Sequence, residues 1–264
     1  MIAFDKEHKR LAMFKQEATP DFWNAQWKKE NLKKTVGSGK TYHFIKSIMK
    51  RYVQNGSRVL EGGCGTGQVV FAMQTWGYDT YGVDFAEDTI HTVQELFPNL
   101  QLSVQDVRNL DFTNEFFDAY WSLGVIEHFW NGYEKITEEA FRVLKPGGYL
   151  FLTFPYMSPL RKLKAYLGRY PLLDSTFDPA LFYEFMLDKS VIINELNQQG
   201  FTCVQTLPYD ALKGLKDEVN FGQSFFQRLY KSRSKPAQAI RFLFTLFLGR
   251  LTGHMILLVC KKTS

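Results

Sequence analysis

The chain has 264 residues, of which 45% are hydrophobic, 22% charged and 16% aromatic, a globular composition that excludes wholesale disorder and suits one α/β domain with insertions. The formal charge of +5 is concentrated: residues 210 to 250 hold eight Lys or Arg against three Asp or Glu, so the excess belongs to a solvated helix face or to an anionic partner of that segment alone. Three widely separated cysteines, Cys64, Cys203 and Cys260, exclude a disulfide framework and show no metal-ligand spacing, while the charged start MIAFDKEHKR lacks the apolar run of an export signal and makes the cytoplasm the expected compartment.

In chain order, Thr19-Pro20 reads as a helix cap, with Phe22, Trp23 and Trp27 following at helical spacing, and residues 1–56 are expected to form an N-terminal helical segment. From Ser57 short β-branched or aromatic runs alternate with helical patterns. SRVLEGG reads as a first strand, followed by a helix that turns Val69, Ala72, Met73 and Trp76 inward and stops at Gly77. DTYGVDF is a second strand, and the next helix carries Ile90, Val93 and Phe97 on one face. QLSVQD is the third strand and FFDAYWSLGV the fourth; then come a helix with Ile136, Ala140, Val143 and Leu144 inward, the turn KPGG and the strand YLFLTFP. Such alternation requires a parallel sheet covered by helices.

After Pro155 the alternation lapses until a helix from Asp188 to Gln199 and the strand FTCVQTLPY, and HMILLVCKK forms a last strand. Residues 156–187 and 210–253 are thus insertions that predict a cap. The second contains an amphipathic helix over 237–252, with Ile240, Leu243, Phe244, Phe247, Leu248 and Leu251 on one face and Gln238, Arg241, Thr245 and Thr252 on the other. Its longest uncharged run is too short to span a bilayer. Docking onto the sheet is the expected arrangement, and a peripheral membrane contact through 228–252, beside Arg228, Lys231, Arg233 and Lys235, is the alternative.

Between the first strand and helix lies Glu61-Gly62-Gly63-Cys64-Gly65-Thr66-Gly67. Alternating glycines let the backbone turn with positive φ and let a ligand approach without a Cβ in the way, ahead of a helix N-terminus. A dinucleotide loop G-x-G-x-x-G counted from Gly63 would need its last glycine at Gln68, so an NAD(P)-dependent oxidoreductase is disfavoured. Asp84 ends the second strand, where a carboxylate can accept from a vicinal diol, and Asp106 ends the third; each could instead cap a helix. Glu61 must find a partner, because burying an unpaired carboxylate is costly.

VLEGGCGTGQ resembles the first motif of the class I S-adenosylmethionine-dependent methyltransferases, in the small-molecule, UbiE-like branch. LKPGGYLFLTFP resembles the family's turn and fifth strand, and the similarity covers residues 57–155. The resemblance implies a Rossmann-like, doubly wound seven-strand α/β sheet, mostly parallel with an antiparallel last strand, plus a helical cap. It implies a core over 57–155, completion of the sheet by 156–264, and an N-terminal segment folded over the cofactor. Its cofactor is S-adenosylmethionine, with S-adenosylhomocysteine as product. The positions it points to are Glu61, Gly62, Gly63, Cys64, Gly65, Thr66, Gly67, Asp84, Phe85, Asp106, Val107, Leu123 and Trp23, with Asp84 on the ribose hydroxyls and Asp106 on the adenine amino group. No metal is implied.

Ser122 to His128, SLGVIEH, resembles the family's fourth motif but lacks the Asn-Pro-Pro-Tyr type sequence of enzymes that methylate amino groups of nucleic acids. A nucleic-acid acceptor is therefore not expected. His128 is the candidate general base, since imidazole titrates near neutrality. The aromatics Tyr156, Tyr166, Tyr170, Phe177, Phe182, Tyr183, Phe185, Phe225 and Phe226 predict a cap that encloses a small or lipid-linked acceptor, methylated at oxygen. The other class compatible with these residues is a catalytically silent nucleoside-binding module.

Overall fold

A computed structural model describes residues 1–28, 31–42, 44–219, 222–232 and 234–263. The chain opens with strands β1 (Ile2–Asp5) and β2 (Arg10–Phe14), paired antiparallel, so the segment 1–56 is helical only from Pro20 onward. Ala3, Leu11, Ala12 and Phe14 supply the buried side of this hairpin, and Asp5 fixes its turn by accepting from the His8 amide (3.1 Å) and Arg10 Nε (2.9 Å). Helices α1 (Pro20–Trp27), α2 (Leu32–Gly37) and α3 (Ile45–Tyr52) follow. The expected cap is present: Thr19 accepts from the Phe22 amide at 3.2 Å, with Pro20 in the first turn.

Strands and helices then alternate as β3 (Arg58–Gly62), α4 (Gln68–Thr75), β4 (Asp79–Asp84), α5 (Glu87–Leu96), β5 (Gln101–Val104), β6 (Phe117–Leu123), α6 (Glu134–Val143) and β7 (Leu144–Pro155). The sheet order is β5-β4-β3-β6-β7, extended by β10 (Met255–Lys262) and β9 (Phe201–Tyr209). β3 to β7 pair in parallel, and β10 runs antiparallel to both β7 and β9. Chain order reverses between β3 and β6, the switch point at which open α/β sheets leave a crevice above their strand ends.

Alternate residues divide between two buried faces, as a sheet covered on both sides requires. Leu60, Val83, Tyr120, Leu150, Leu152 and Leu258 share one, while Val59, Ala119, Trp121, Phe151, Leu257 and Val259 share the other. α4 buries Val70, Ala72 and Met73, whereas the expected Val69 and Trp76 are half-buried. A helical stripe is wider than one register, and this helix has apolar residues on both sides of it.

The first insertion holds α7 (Pro159–Tyr166) and β8 (Phe182–Met186). Its ends meet: the Leu187 amide donates to Pro155 O at 2.8 Å and the Met157 amide to Leu187 O at 2.9 Å. β8 pairs with β2, forming a second, three-stranded sheet β1-β2-β8 that joins the N-terminus to the insertion. After α8 (Lys189–Gln198) and β9, the second insertion consists of α9 (Ala211–Glu218), α10 (Gln223–Lys231) and α11 (Lys235–Thr252). α11 does not lay its apolar stripe on the sheet. It packs on α9 and the end of β9 through Gly249 and Thr252, and Ile240, Leu243, Phe247 and Leu251 face solvent. Arg233, one of the basic positions noted beside it, lies outside the described residues.

Arg161 locks the two insertions to the sheet. Only 2% exposed, it donates from Nε to Glu218 (2.8 Å), from Nη1 to Tyr156 O (2.7 Å) and from Nη2 to His254 Nδ1 (3.0 Å). Burial, with the charges of Arg161 and neighbouring lysines, pushes the His254 imidazole down to about 2, so it stays neutral and accepts. Replacing Arg161 by Ala removes one of the two cations on the buried Glu218 carboxylate, leaving Lys164 and the Tyr170 hydroxyl, and takes a donor from Tyr156 O and from His254 Nδ1. Urea denaturation of Arg161→Ala is expected to show a loss of about 3 to 5 kcal/mol; an unchanged midpoint and slope would remove this network from the cap's support.

Candidate active site

The glycine loop is held from two sides. The amides of Gly63 and Cys64 both donate to Val83 O, at 2.8 and 2.9 Å, which seats the loop on β4. Asp84, at the end of that strand and 6% exposed, accepts from the Gly65 amide at 2.7 Å through one oxygen and from the Ala86 amide at 2.9 Å through the other. Burial raises its carboxyl above the ordinary range, and the amides of Ala86, Gly65 and Phe85 pull against that shift. One carboxylate therefore fixes both the loop and the start of α5, and it retains a second lone-pair direction on each oxygen.

Gly63 has φ +73°, and a Cβ there would lie 2.4 Å from Val125 Cγ2; at Gly65, φ +51°, it would lie 3.1 Å from the Trp27 ring. Both glycines are thus required by close approach as well as by conformation. Above them opens a cavity of about 450 Å³, lined by Gly63, Gly65, Asp84, Phe85, Asp106, Val107, Leu123, His128 and Trp23 among the predicted residues. Glu61, Gly62, Cys64, Thr66 and Gly67 do not line it. Gly62 leaves room for the Tyr120 hydroxyl, the Cys64 thiol turns toward Gly82, and Gly67 begins α4 in the left-handed conformation.

Glu61 is buried with Oε2 unpartnered among the described residues. Burial, reinforced by the charge of Asp84, holds its carboxyl well above the usual range. Asp106 is instead gripped by a neighbour: Arg108 donates Nε to both of its oxygens at 3.0 Å and Nη2 to one at 2.6 Å, and this hydrogen bonding lowers its carboxyl. The fork keeps Asp106 ionised at the rim of the cavity.

His128 ends a short 3₁₀ turn (Ile126–His128) after β6, and its Nδ1 lies 2.6 Å from Tyr183 O. A carbonyl only accepts, so Nδ1 carries the proton and Nε2 keeps the free lone pair. Burial lowers the imidazole's pKa and keeps it neutral. Trp23 stacks on Trp27 with ring centroids 5.7 Å apart and meets His128 edge-on at 5.3 Å, so the tryptophan pair is packed together and also forms the cavity wall.

Trp27, noted in the sequence one helical turn beyond Trp23, also lines the cavity, and so do Arg108, Phe129, Trp130 and Pro179, which the sequence did not single out. Glu127 and Glu184 do not line the cavity; β8 brings Glu184 beside the 3₁₀ turn that holds Glu127, 57 positions away along the chain, a juxtaposition that local sequence does not signal. Glu127, His128 and Glu184 present ligand atoms within 4.8 Å of one another, the one group among the described residues with the donor set for a metal ion. Burial, with the charge of Glu184, raises the Glu127 carboxyl well above its usual range.

The cap differs from expectation. Only Pro179 and Phe182 of residues 156–187 reach the cavity, and none of the described residues of 210–253 does; residues 17–20, Trp23 and Trp27 line it instead. Tyr156 and Phe185 are spent on the core, Tyr170 bonds to Glu218, and Tyr166 and Phe225 face solvent. Of the described insertion aromatics, Phe182 alone lines the crevice, and Phe14 of β2 packs against it at a centroid distance of 6.2 Å.

Residues 60–152 match the methyltransferase domain family. The chain is 28% identical over 172 residues to a ubiquinone biosynthesis O-methyltransferase of Coxiella burnetii, a match covering 62% of this chain and 66% of that relative, just under two thirds of its length. Over 101 residues, 38% of this chain and 24% of the relative, it is 32% identical to an Arabidopsis thaliana tRNA (carboxymethyluridine(34)-5-O)-methyltransferase. Its fold is similar to that of an S-adenosylmethionine-dependent methyltransferase from Archaeoglobus fulgidus, with a TM-score of 0.54, 17% identity, and 84% and 95% of the two chains covered.

The crowding at Gly63 yields a structural prediction. Gly63→Val places a branched side chain against Val125 with left-handed backbone, and thermal or urea unfolding is expected to show a loss of about 2 to 4 kcal/mol. Wild-type stability in this variant would mean that the loop does not take the described conformation.

Proposed function

We propose that the protein, whose residues 60–152 match the methyltransferase domain family, is a class I S-adenosylmethionine-dependent methyltransferase that transfers the methyl group of S-adenosylmethionine to an oxygen of a small-molecule or lipid-linked acceptor. The observation that carries this reading is the clamped glycine loop facing a cavity whose walls combine one buried carboxylate, Asp84, with the aromatic rings of Trp23, Trp27, Phe85 and Phe129. The cofactor supplies a sulfonium methyl group. Gly63 and Gly65 give its chain close access to the backbone, and the free lone pairs of Asp84 suit the two ribose hydroxyls. Asp106 and Val107 stand at the adenine end, where the Arg108 fork holds the Asp106 carboxylate ready to accept from an amino group. Aromatic faces around a sulfonium add cation–π attraction and exclude water.

Glu61, off the cavity wall, acts from beneath the loop: its unpartnered carboxyl can ionise when the cofactor's ammonium arrives above it, directly or through water. Gly62, Cys64, Thr66 and Gly67 serve the site through backbone shape, and Leu123 packs from the end of β6. His128 acts on the acceptor's hydroxyl through Nε2, with Tyr183 O fixing the tautomer. The oxygen acceptor is favoured because this neutral imidazole, the only histidine on the cavity wall among the described residues, matches a hydroxyl that must lose its proton on methylation. Most of the catalytic gain comes from holding sulfonium and acceptor in line.

Asp84→Ala is expected to weaken S-adenosylhomocysteine binding by about 1 to 3 kcal/mol, measured by equilibrium titration; unchanged affinity removes Asp84 from the cofactor site. His128→Ala is expected to abolish transfer from labelled cofactor while binding persists. Because burial lowers the imidazole's pKa, the acid limb of the wild-type rate profile should fall below the ordinary histidine range. An acid limb above that range, or full activity in the variant, contradicts the role. Labelled product recovered only in RNA or protein would overturn the acceptor class.

A further inference from the structure

A surface helix ordinarily turns its apolar stripe to the core and its polar face to water. α11 turns much of its apolar surface to water. Ala237, Gly249 and Thr252 are buried and Arg241, Phe244, Thr245 and Leu248 half-buried, while Phe242, Leu243, Leu246, Phe247 and Leu251 are 47 to 73% exposed. Contacts on both sides fix this orientation. A Cβ at Gly214 would overlap Thr252 O, and one at Gly249 would lie 3.3 Å from Pro208 O, so the helix's small residues are the ones that fit against α9 and β9. Arg241 Nη1 donates to Leu229 O, Tyr230 O and Ser232 O at 3.0, 2.8 and 2.7 Å, binding α11 to the end of α10.

Neighbouring helices extend the apolar surface. α7, packed beside α11, exposes Leu163, Tyr166 and Leu167, and α10 exposes Phe225. Large apolar side chains left exposed on neighbouring, packed helices mark an interaction site. The charges around it have one sign: residues 159–173 and 219–264 contain no Asp or Glu, and Lys162, Arg169, Arg228, Lys231, Lys235 and Arg250 are exposed. No helix among the described residues is long and apolar enough to cross a membrane.

We propose that the face formed by α7, α10 and α11 docks in the interface of an anionic lipid bilayer, with α11 in the membrane plane, Phe242, Leu246 and Phe247 among the acyl chains, and the basic side chains at the headgroups. Apolar insertion and headgroup attraction are the two signals that stable peripheral binding combines. The proposal deepens the reading of a lipid-linked acceptor, because it holds the enzyme where such an acceptor lies. Vesicle binding is measured without acceptor or cofactor, so its failure and the failure of the methyltransferase reading are separate results.

The test is co-sedimentation of the full chain with vesicles of equimolar phosphatidylglycerol and phosphatidylcholine, against vesicles of phosphatidylcholine alone. The wild type should sediment with the anionic vesicles, lose much of that binding at about 0.5 M salt, and bind the neutral vesicles weakly. Leu246→Ser with Phe247→Ser should lower partitioning at least about tenfold, with S-adenosylhomocysteine binding retained as the sign of an intact fold. Lys231→Glu with Lys235→Glu, on exposed positions, gives the same comparison should the first variant not fold. Equal sedimentation of wild type and both variants overturns the proposal. So does wild-type protein that ignores both kinds of vesicle, including the case in which sedimentation velocity shows the face covered by a second copy of the chain.

Discussion

The site depends on one buried carboxylate. Asp84 is removed from water at a cost that its amide partners only partly offset, and those partners are the Gly65 amide in the loop and the Ala86 amide ahead of α5. That bidentate hold converts a flexible glycine run into a fixed surface. The loop it fixes lies at the sheet's switch point, between the adjacent parallel strands β3 and β6, where the strand ends leave room for a ligand. Val83 O, accepting two loop amides one residue earlier, completes the same clamp.

Around this fixed floor the walls come from distant parts of the chain. β2 pairs with β8, which carries Tyr183 and Glu184 beside His128, and residues 17–20, just after β2, line the site. The second insertion contributes elsewhere, through Glu218 on Arg161 and through the outward apolar face of α11. The candidate crevice and the apolar face are thus separate surfaces of one molecule. An acceptor tethered to a bilayer would join them, which is the physical content of reading the cap as a membrane-facing element.

The parallel core was legible in the sequence because its signals are local. Glycine spacing, acids at strand ends and period-2 apolar runs define β3 through β7, and the expected antiparallel last strand is β10. What escaped were pairings between segments far apart. Nothing in residues 1–14 taken alone announces a strand partner at 182–186, so a helical start was the natural reading. The apolar stripe of α11 was visible, but the small residues that decide which side packs inward act through Gly214 and Pro208, outside the helix. Likewise Asp106 was identified from its strand end, yet its fork with Arg108 depends on a turn geometry that periodicity does not encode.

Calorimetric titration of the intact chain with S-adenosylhomocysteine and, separately, with NADH decides whether this loop and carboxylate receive the adenosyl cofactor of methyl transfer or a dinucleotide. Saturable heat with S-adenosylhomocysteine and none with NADH is expected; binding of NADH with no response to S-adenosylhomocysteine would rule out the adenosyl cofactor.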